Sequence, residues 1–258
     1  EALSRERVYD MILFVLEGER PDLKLYRTMM EVCGVVGDTI AVVYGCNLDA
    51  LYHEMIGLGD GADIVELLRD KYEGMPSNPF EGVSRSDQFS EVYLFFDYDF
   101  HDVNRSPQVL NGQLEYLLDY FGEETDHGKL YINYPMIESI KYTKELLDSN
   151  YYQYTVSRED CRSFKRLAAS FSFYPNMDFL LRGDAQSRAR SWELLKIQNV
   201  AKANFICNGV NEYPPVEMGS ISQRTILQHQ IDEYESSPDC RISVLSSYPI
   251  MMFEWLGR

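Results

Sequence analysis

Two hydrophobic rhythms alternate along the first half of this chain. Residues 9–16 end in an unbroken Met-Ile-Leu-Phe-Val-Leu, residues 39–44 read Thr-Ile-Ala-Val-Val-Tyr, and residues 91–97 read Glu-Val-Tyr-Leu-Phe-Phe-Asp. Residues 129–133, Lys-Leu-Tyr-Ile-Asn, add a shorter run. Such runs, without polar alternation, predict strands of a parallel sheet covered on both faces. Between them the apolar spacing is helical. Leu25, Tyr26, Met29, Met30 and Cys33 fall on one face after Pro21 and before Gly34, a start and a stop signal. Asn47 or Asp49 caps a helix carrying Leu51, Met55 and Leu58, and Asp63 opens one carrying Ile64, Leu67, Leu68 and Tyr72. Asn104 or Ser106, with Pro107 in the first turn, opens a helix that buries Leu110, Leu114, Leu117, Leu118 and Phe121. Residues 73–90, with two prolines and several glycines and serines, predict a long loop. Gly57, Gly59 and Gly61 follow a helix rather than a strand, so they predict a turn and not a phosphate loop.

Beyond residue 133 the pattern changes. Tyr134-Pro135-Met136-Ile137-Glu138 predicts the opening of a further helix, with Glu138 near its start. After residue 145 strand signals fade, and residues 162–171, 186–202 and 222–234 read as helices, with Trp192, Leu195 and Asn199 on one face of the second. Residues 242–245 predict a last strand or core segment. The expected organisation is an α/β unit over residues 8–145, a mainly parallel sheet flanked by helices, followed by a mostly helical C-terminal region over residues 146–258.

The strand ends carry the candidate chemistry. Asp97 and Asp99 are two apart, so on an extended chain both would point to one side. Like charges placed together repel, and burial strengthens the repulsion; a bound hard cation relieves it, and Mg2+ or Mn2+ takes oxygen ligands of this kind. The run 11–16 ends in Glu17-Gly18-Glu19. In open α/β sheets ligands gather beyond the carboxyl ends of the strands, and Glu17 meets the aspartates there if the two strands are neighbours. Gly18 would give the backbone freedom to turn. The alternative is a strand that simply ends in solvated acids. His101 lies beside the cluster, and a lone His is more often a hydrogen-bonding surface residue than a ligand or base.

Charge narrows the choice of partner. The 258 residues carry a net charge of −17, which argues against a protein that coats nucleic acid by releasing counterions. Residues 158–202 depart from this, with nine basic residues against five acids. That segment suits a phosphate-binding face, an acidic surface of this chain or of a partner, or merely solvated helices. Within it Arg162, Lys165, Arg166, Arg188 and Arg190 are the candidates for contact with nucleic acid. No apolar run approaches the roughly 18 residues of a membrane span, and no secretory signal is visible. Five cysteines without metal-ligand spacing read as reduced thiols, so a cytoplasmic protein is expected.

A strand ending in Glu17-Gly18, then helix, strand and helices, then a strand ending in Asp97-Tyr98-Asp99, resembles the Toprim domain of topoisomerases, DnaG-type primases, OLD-family nucleases and RloB-like proteins. Asn133-Tyr134-Pro135-Met136-Ile137-Glu138 resembles a further motif of the OLD and RloB-like branch. The resemblance covers about residues 8 to 145. It implies a Rossmann-like sheet and metal-dependent cleavage of phosphodiester bonds, with Glu17, Asp97 and Asp99 catalytic and Asp102 or Glu138 helping to hold a second Mg2+ or Mn2+. OLD-type nucleases usually place another acid three or four residues beyond the Glu of Glu-Gly; here Arg20 and Pro21 stand there, and Glu19 and Asp22 are the nearest substitutes, at the wrong spacing. The resemblance also implies a nucleic acid substrate and an anti-phage role alongside an ATPase. No Gly-Lys-Ser/Thr motif occurs here, so that ATPase would be a separate chain; self-association is left open. Two alternatives stand beside this: a catalytically inactive Toprim-like binding module, and a phosphohydrolase of the haloacid-dehalogenase type, which also places Asp-x-Asp after an apolar strand but follows it with residues other than Phe100-His101.

Overall fold

A computed structural model describes residues 11–35, 38–59, 61–101, 105–215 and 218–257. Five strands form the central sheet: β1 (Met11–Leu16), β2 (Thr39–Val43), β3 (Phe89–Asp97), β4 (Gly122–Glu123) and β5 (Gly128–Asn133). Their order is β2-β1-β3-β5-β4, parallel throughout except for the two-residue β4 against β5. In register, Leu16 pairs with both Val43 and Phe95, and Asp97 pairs with Asn133. The carboxyl ends of β1, β2, β3 and β5 therefore share one edge.

Four helices belong to this half: α1 (Arg20–Cys33), α2 (Leu48–Leu58), α3 (Ile64–Tyr72) and α4 (Pro107–Tyr120). Local chemistry sets their ends. Gly34 closes α1 at φ 62°, Asn47 accepts the Ala50 N–H, Asp63 those of Val65 and Glu66, and Ser106 that of Val109. The expected helix after Tyr134 is only a 3₁₀ turn, Ile137–Lys141. The Ser139 hydroxyl donates to the carbonyls of Tyr134 and Met136, both at 2.6 Å, and so takes acceptors that an α-helical turn would use.

The rest of the chain is mainly helical. It comprises β6 (Thr155–Ser157), α5 (Arg158–Cys161), α6 (Phe164–Phe171), α7 (Asp178–Leu181), α8 (Ala185–Asn208), α9 (Gln223–Ser236), β7 (Arg241–Ser243) and α10 (Ser247–Leu256), with β6 and β7 paired antiparallel. Trp192, Leu195 and Asn199 are all buried along α8. The boundary at residue 145 does not divide two cores, because one hydrophobic cluster runs through both parts.

The join is made by α10, which the sequence pattern does not announce. Tyr248, Pro249, Ile250, Met251 and Met252 are all buried, so no polar face interrupts them to mark a helical period. The two-residue alternation of the strands explains where α10 sits. Phe14, Tyr93 and Phe95 project to one face of the sheet, where their rings meet Tyr26 of α1 and Trp255 and Tyr248 of α10. The Phe95–Tyr248 pair is stacked at 4.3 Å between centroids, an arrangement that contributes about 0.5–1.5 kcal/mol beyond burial. Phe96 and Tyr98 project to the other face, where Tyr44 and α4 receive them. Among the described residues no helix is long and apolar enough to cross a membrane, and all five cysteines are free.

Candidate functional site

From β1 the chain runs outward to β2 and then returns to β3 on the other side of β1. The gap between the carboxyl ends of β1 and β3 is thus the topological switch point, where an open sheet leaves a crevice. Glu17 follows β1 and donates its N–H to the Phe95 carbonyl at 3.0 Å. Its carboxylate Oε2 accepts the backbone N–H of Asp97 at 2.7 Å. The carboxylate of one acidic residue is thus bonded to the backbone of another eighty residues away in sequence.

Other acids converge on this point. Asp99 lines the same cavity, but by a different route from the one the sequence suggests. β3 stops at Asp97, and Asp99 has φ 50°, in the left-handed region that Asp tolerates better than most residues. The pair shares a cavity through a turn rather than through strand alternation. Asp22, in the first turn of α1, is 5 % exposed and accepts the Tyr248 hydroxyl at 3.2 Å. Glu138, on the 3₁₀ turn, has one oxygen 3.6 Å from the Lys165 ammonium and the other buried with no hydrogen-bond partner among the described residues. Asp102 lies outside the described residues.

Gly18 serves space rather than torsion. Its φ is not positive, and a Cβ there would stand 2.5 Å from Asp22 Oδ2. Asp22 enters the cluster because position 18 has no side chain. Simple spacing from Glu17 misses this; the readable signals are the absent Cβ and the Pro21 helix start that folds the chain back over Gly18.

Burial and crowding act on these acids in the same direction. Burial first, then repulsion from Asp99 and Asp22, pushes the Glu17 carboxyl up to about 8, against the opposing pull of the Asp97 N–H. Asp97 lies well above the ordinary aspartate value, through burial and then the charges of Glu17, Asp22 and Glu138, against the N–H of Ile137. Asp22 is raised to about 6, mainly by burial, with the Tyr248 hydroxyl opposing. A cluster of this kind stays partly protonated, or gains a cation.

Basic residues share the cavity with these acids. A cavity of about 590 Å³ is lined by Glu17, Asp97, Asp99 and His101 together with Arg162, Ser163, Lys165 and Arg166. The start of α6 and the residues just before it thus line the same cavity as the acids, and three of the five basic candidates come to the site. His101 Nδ1 is buried there without a hydrogen-bond partner among the described residues. Arg188 is elsewhere: its guanidinium pairs with both oxygens of Glu31 on α1, at 2.7 and 2.8 Å, and so docks on this chain's own acidic surface. Arg190 is exposed on the same helix. Among the described residues, no three His, Cys, Asp or Glu side chains are already arranged to hold a metal ion; the Glu17 carboxylate is engaged by the Asp97 N–H.

Comparisons with protein-family models, curated proteins and solved structures return no match.

Proposed function

We propose that this chain is a Toprim-type, divalent-cation-dependent nuclease whose centre is built on Glu17, Asp97 and Asp99. The observation that carries this reading is the contact between the Glu17 carboxylate and the Asp97 backbone at the switch point of a parallel sheet, beside a cavity that basic residues also line. The donor set fits Mg2+ or Mn2+: carboxylate oxygens from two strand ends, with Asp22 and Glu138, one of whose oxygens is unpartnered among the described residues, close enough for their charges to act on Asp97. Glu17, Asp97 and Asp99 would hold the ion, which would supply Lewis-acid stabilisation of charge at a phosphoryl oxygen. Arg162, Lys165 and Arg166, which line the same cavity, would receive the nonbridging oxygens of a phosphodiester. These basic residues answer the difficulty posed by the net charge. The grip on a polyanion would be local, in the cavity that the acids also line.

The test is nicking of supercoiled plasmid and cleavage of single-stranded DNA and RNA with Mn2+, for the wild type and for Glu17→Gln, Asp97→Asn and Asp99→Asn. The reading expects activity only in the wild type, with all three variants folded. One observation favours a second reading, a binding module whose acids are structural: the Glu17 carboxylate already accepts a backbone N–H, and no three-ligand group is formed. Under that reading calorimetry finds no Mn2+ binding to the wild type, and nucleic acid binding survives the substitutions.

A further inference from the structure

The end of the chain that lies farthest from Glu17 in sequence reaches the acidic centre through one buried asparagine. Asn133 closes β5 and is fully buried. Its Oδ1 accepts the Ser247 backbone N–H at 3.1 Å, the Ser247 hydroxyl at 3.0 Å and the Ser246 hydroxyl at 3.4 Å. Its Nδ2 donates to Asp97 Oδ1 at 3.2 Å. A side-chain amide can be placed either way round unless its partners decide. Here they do: a backbone N–H can only donate, so the oxygen must face Ser247, and the NH2 must face Asp97.

The donors are themselves held. Ser247 is the first residue of α10, where backbone N–H groups have no partner within the helix. The N–H of Ser246 goes to Asn199 Oδ1 of α8 at 3.0 Å, an oxygen that also accepts the Tyr151 hydroxyl at 2.8 Å. The Asn199 NH2 donates to the Leu195 carbonyl at 2.9 Å. Two buried asparagines from different elements thus take the opening amides of α10, and one of them passes the constraint to Asp97. We propose that Asn133 is the positioning residue of the Asp97 carboxylate, and that the start of α10, through the Ser247 N–H, sets its orientation. The inference rests on the metal reading for its functional consequence, but not for its geometry.

Groups that orient a ligand typically change metal affinity 10- to 100-fold when lost. Ser247→Pro is the sharpest test. Proline is favoured at the first position of a helix, and Ser246 already has the extended backbone that precedes proline well (φ −100°, ψ 132°). The substitution removes the N–H and hydroxyl that fix Asn133 while the helix can remain. Ser247→Ala removes the hydroxyl alone. Without any metal, the Asn133 side-chain NH2 should give slowly exchanging NMR signals in the wild type and in Ser247→Ala, and should lose that protection in Ser247→Pro. With Mn2+, calorimetry should give at least a tenfold weaker affinity for Ser247→Pro at little-changed Tm, with Ser247→Ala in between. If Ser247→Pro does not fold, the Ser246→Ala/Ser247→Ala double variant takes its place, with a several-fold loss of affinity expected. A protected Asn133 NH2 in Ser247→Pro, or an unchanged Mn2+ affinity in it or in the double variant, overturns the proposal. A wild type that binds no Mn2+ overturns the metal reading, and the NMR comparison still decides the orientation.

Discussion

Asp97 is half-buried and Asp148 buried, and in both burial pushes the carboxyl toward its protonated form. They end on opposite sides of the ordinary value. Asp148, in the helical part, accepts the N–H groups of Lys144 and Asn150 at 3.0 and 2.9 Å, the Tyr154 hydroxyl at 2.8 Å and the Thr143 hydroxyl at 3.4 Å. Those donors outweigh burial, and its pKa is lowered. Asp97 has the N–H of Ile137 and the amide of Asn133, but its other close neighbours are Glu17, Asp22 and Glu138. Its pKa is raised well above the ordinary value. Asp148 is satisfied by the fold and acts as a structural anchor. The cluster at the sheet edge is left in surplus negative charge, the condition that a site for a cation requires.

The largest expected contrast comes from removing one charge in each region. Asp97→Asn should lower Mn2+-dependent cleavage by about 10³-fold or more, the several kcal/mol of transition-state stabilisation an ion supplies, while leaving the apo fold at least as stable near pH 8. Asp148→Asn should do the reverse, costing about 1–3 kcal/mol of stability through its unpaired donors and leaving cleavage per folded molecule unchanged. Denaturant melts run beside plasmid nicking would show it; equal effects on both readouts would erase the distinction.

The pH dependence of stability separates the regions next. Glu17 and Asp22 bind their protons more tightly in the folded chain, with values of about 8 and about 6, than in the unfolded chain, where they lie near 4.3 and 3.9. Their contribution to stability is therefore complete at low pH and is lost as pH rises from about 4 to about 8. Asp148, with its depressed value, contributes above the unfolded aspartate value, and that contribution is lost as pH falls through its folded value. Without metal, Tm should decline by several degrees between about pH 5.5 and pH 8, and Mn2+ should restore it at the upper end. A metal-free Tm that rises over that interval would contradict the assignment of surplus charge.

Gly18→Ala tests the cluster more gently. The new Cβ meets only the far end of the Asp22 side chain, so stability should change by about 1 kcal/mol or less. Asp22 would swing away from Tyr248, and Mn2+ affinity should shift several-fold. The smallest effects belong to the basic residues. Lys165→Ala should weaken DNA binding and reduce the salt slope by about 1. Arg188→Ala, which breaks the pair with Glu31, should cost about 0.5 kcal/mol of stability and leave the salt slope alone. Filter binding across a salt series distinguishes them.

The sequence alone determined the local features. Runs of apolar residues marked β1, β2, β3 and β5, because a strand buried on both faces has no polar positions to spare. Pro21, Gly34, Asp63, Asn47 or Asp49, and Asn104 or Ser106 marked helix ends, because caps act within one turn, and the structure chose Asn47 and Ser106 from the two pairs. Acids at the ends of β1 and β3 were visible for the same reason. Only the tertiary structure decided which elements became neighbours. That β1 lies against β3, that the missing Cβ of Gly18 admits Asp22, and that Ser247 reaches Asn133 are contacts between residues remote in sequence or set by close approach. Periodicity records which side of an element leaves water; it does not record what covers that side. α10 is the clearest case, since its buried run carries no rhythm, and its position became readable only with the aromatic face of the sheet beneath it.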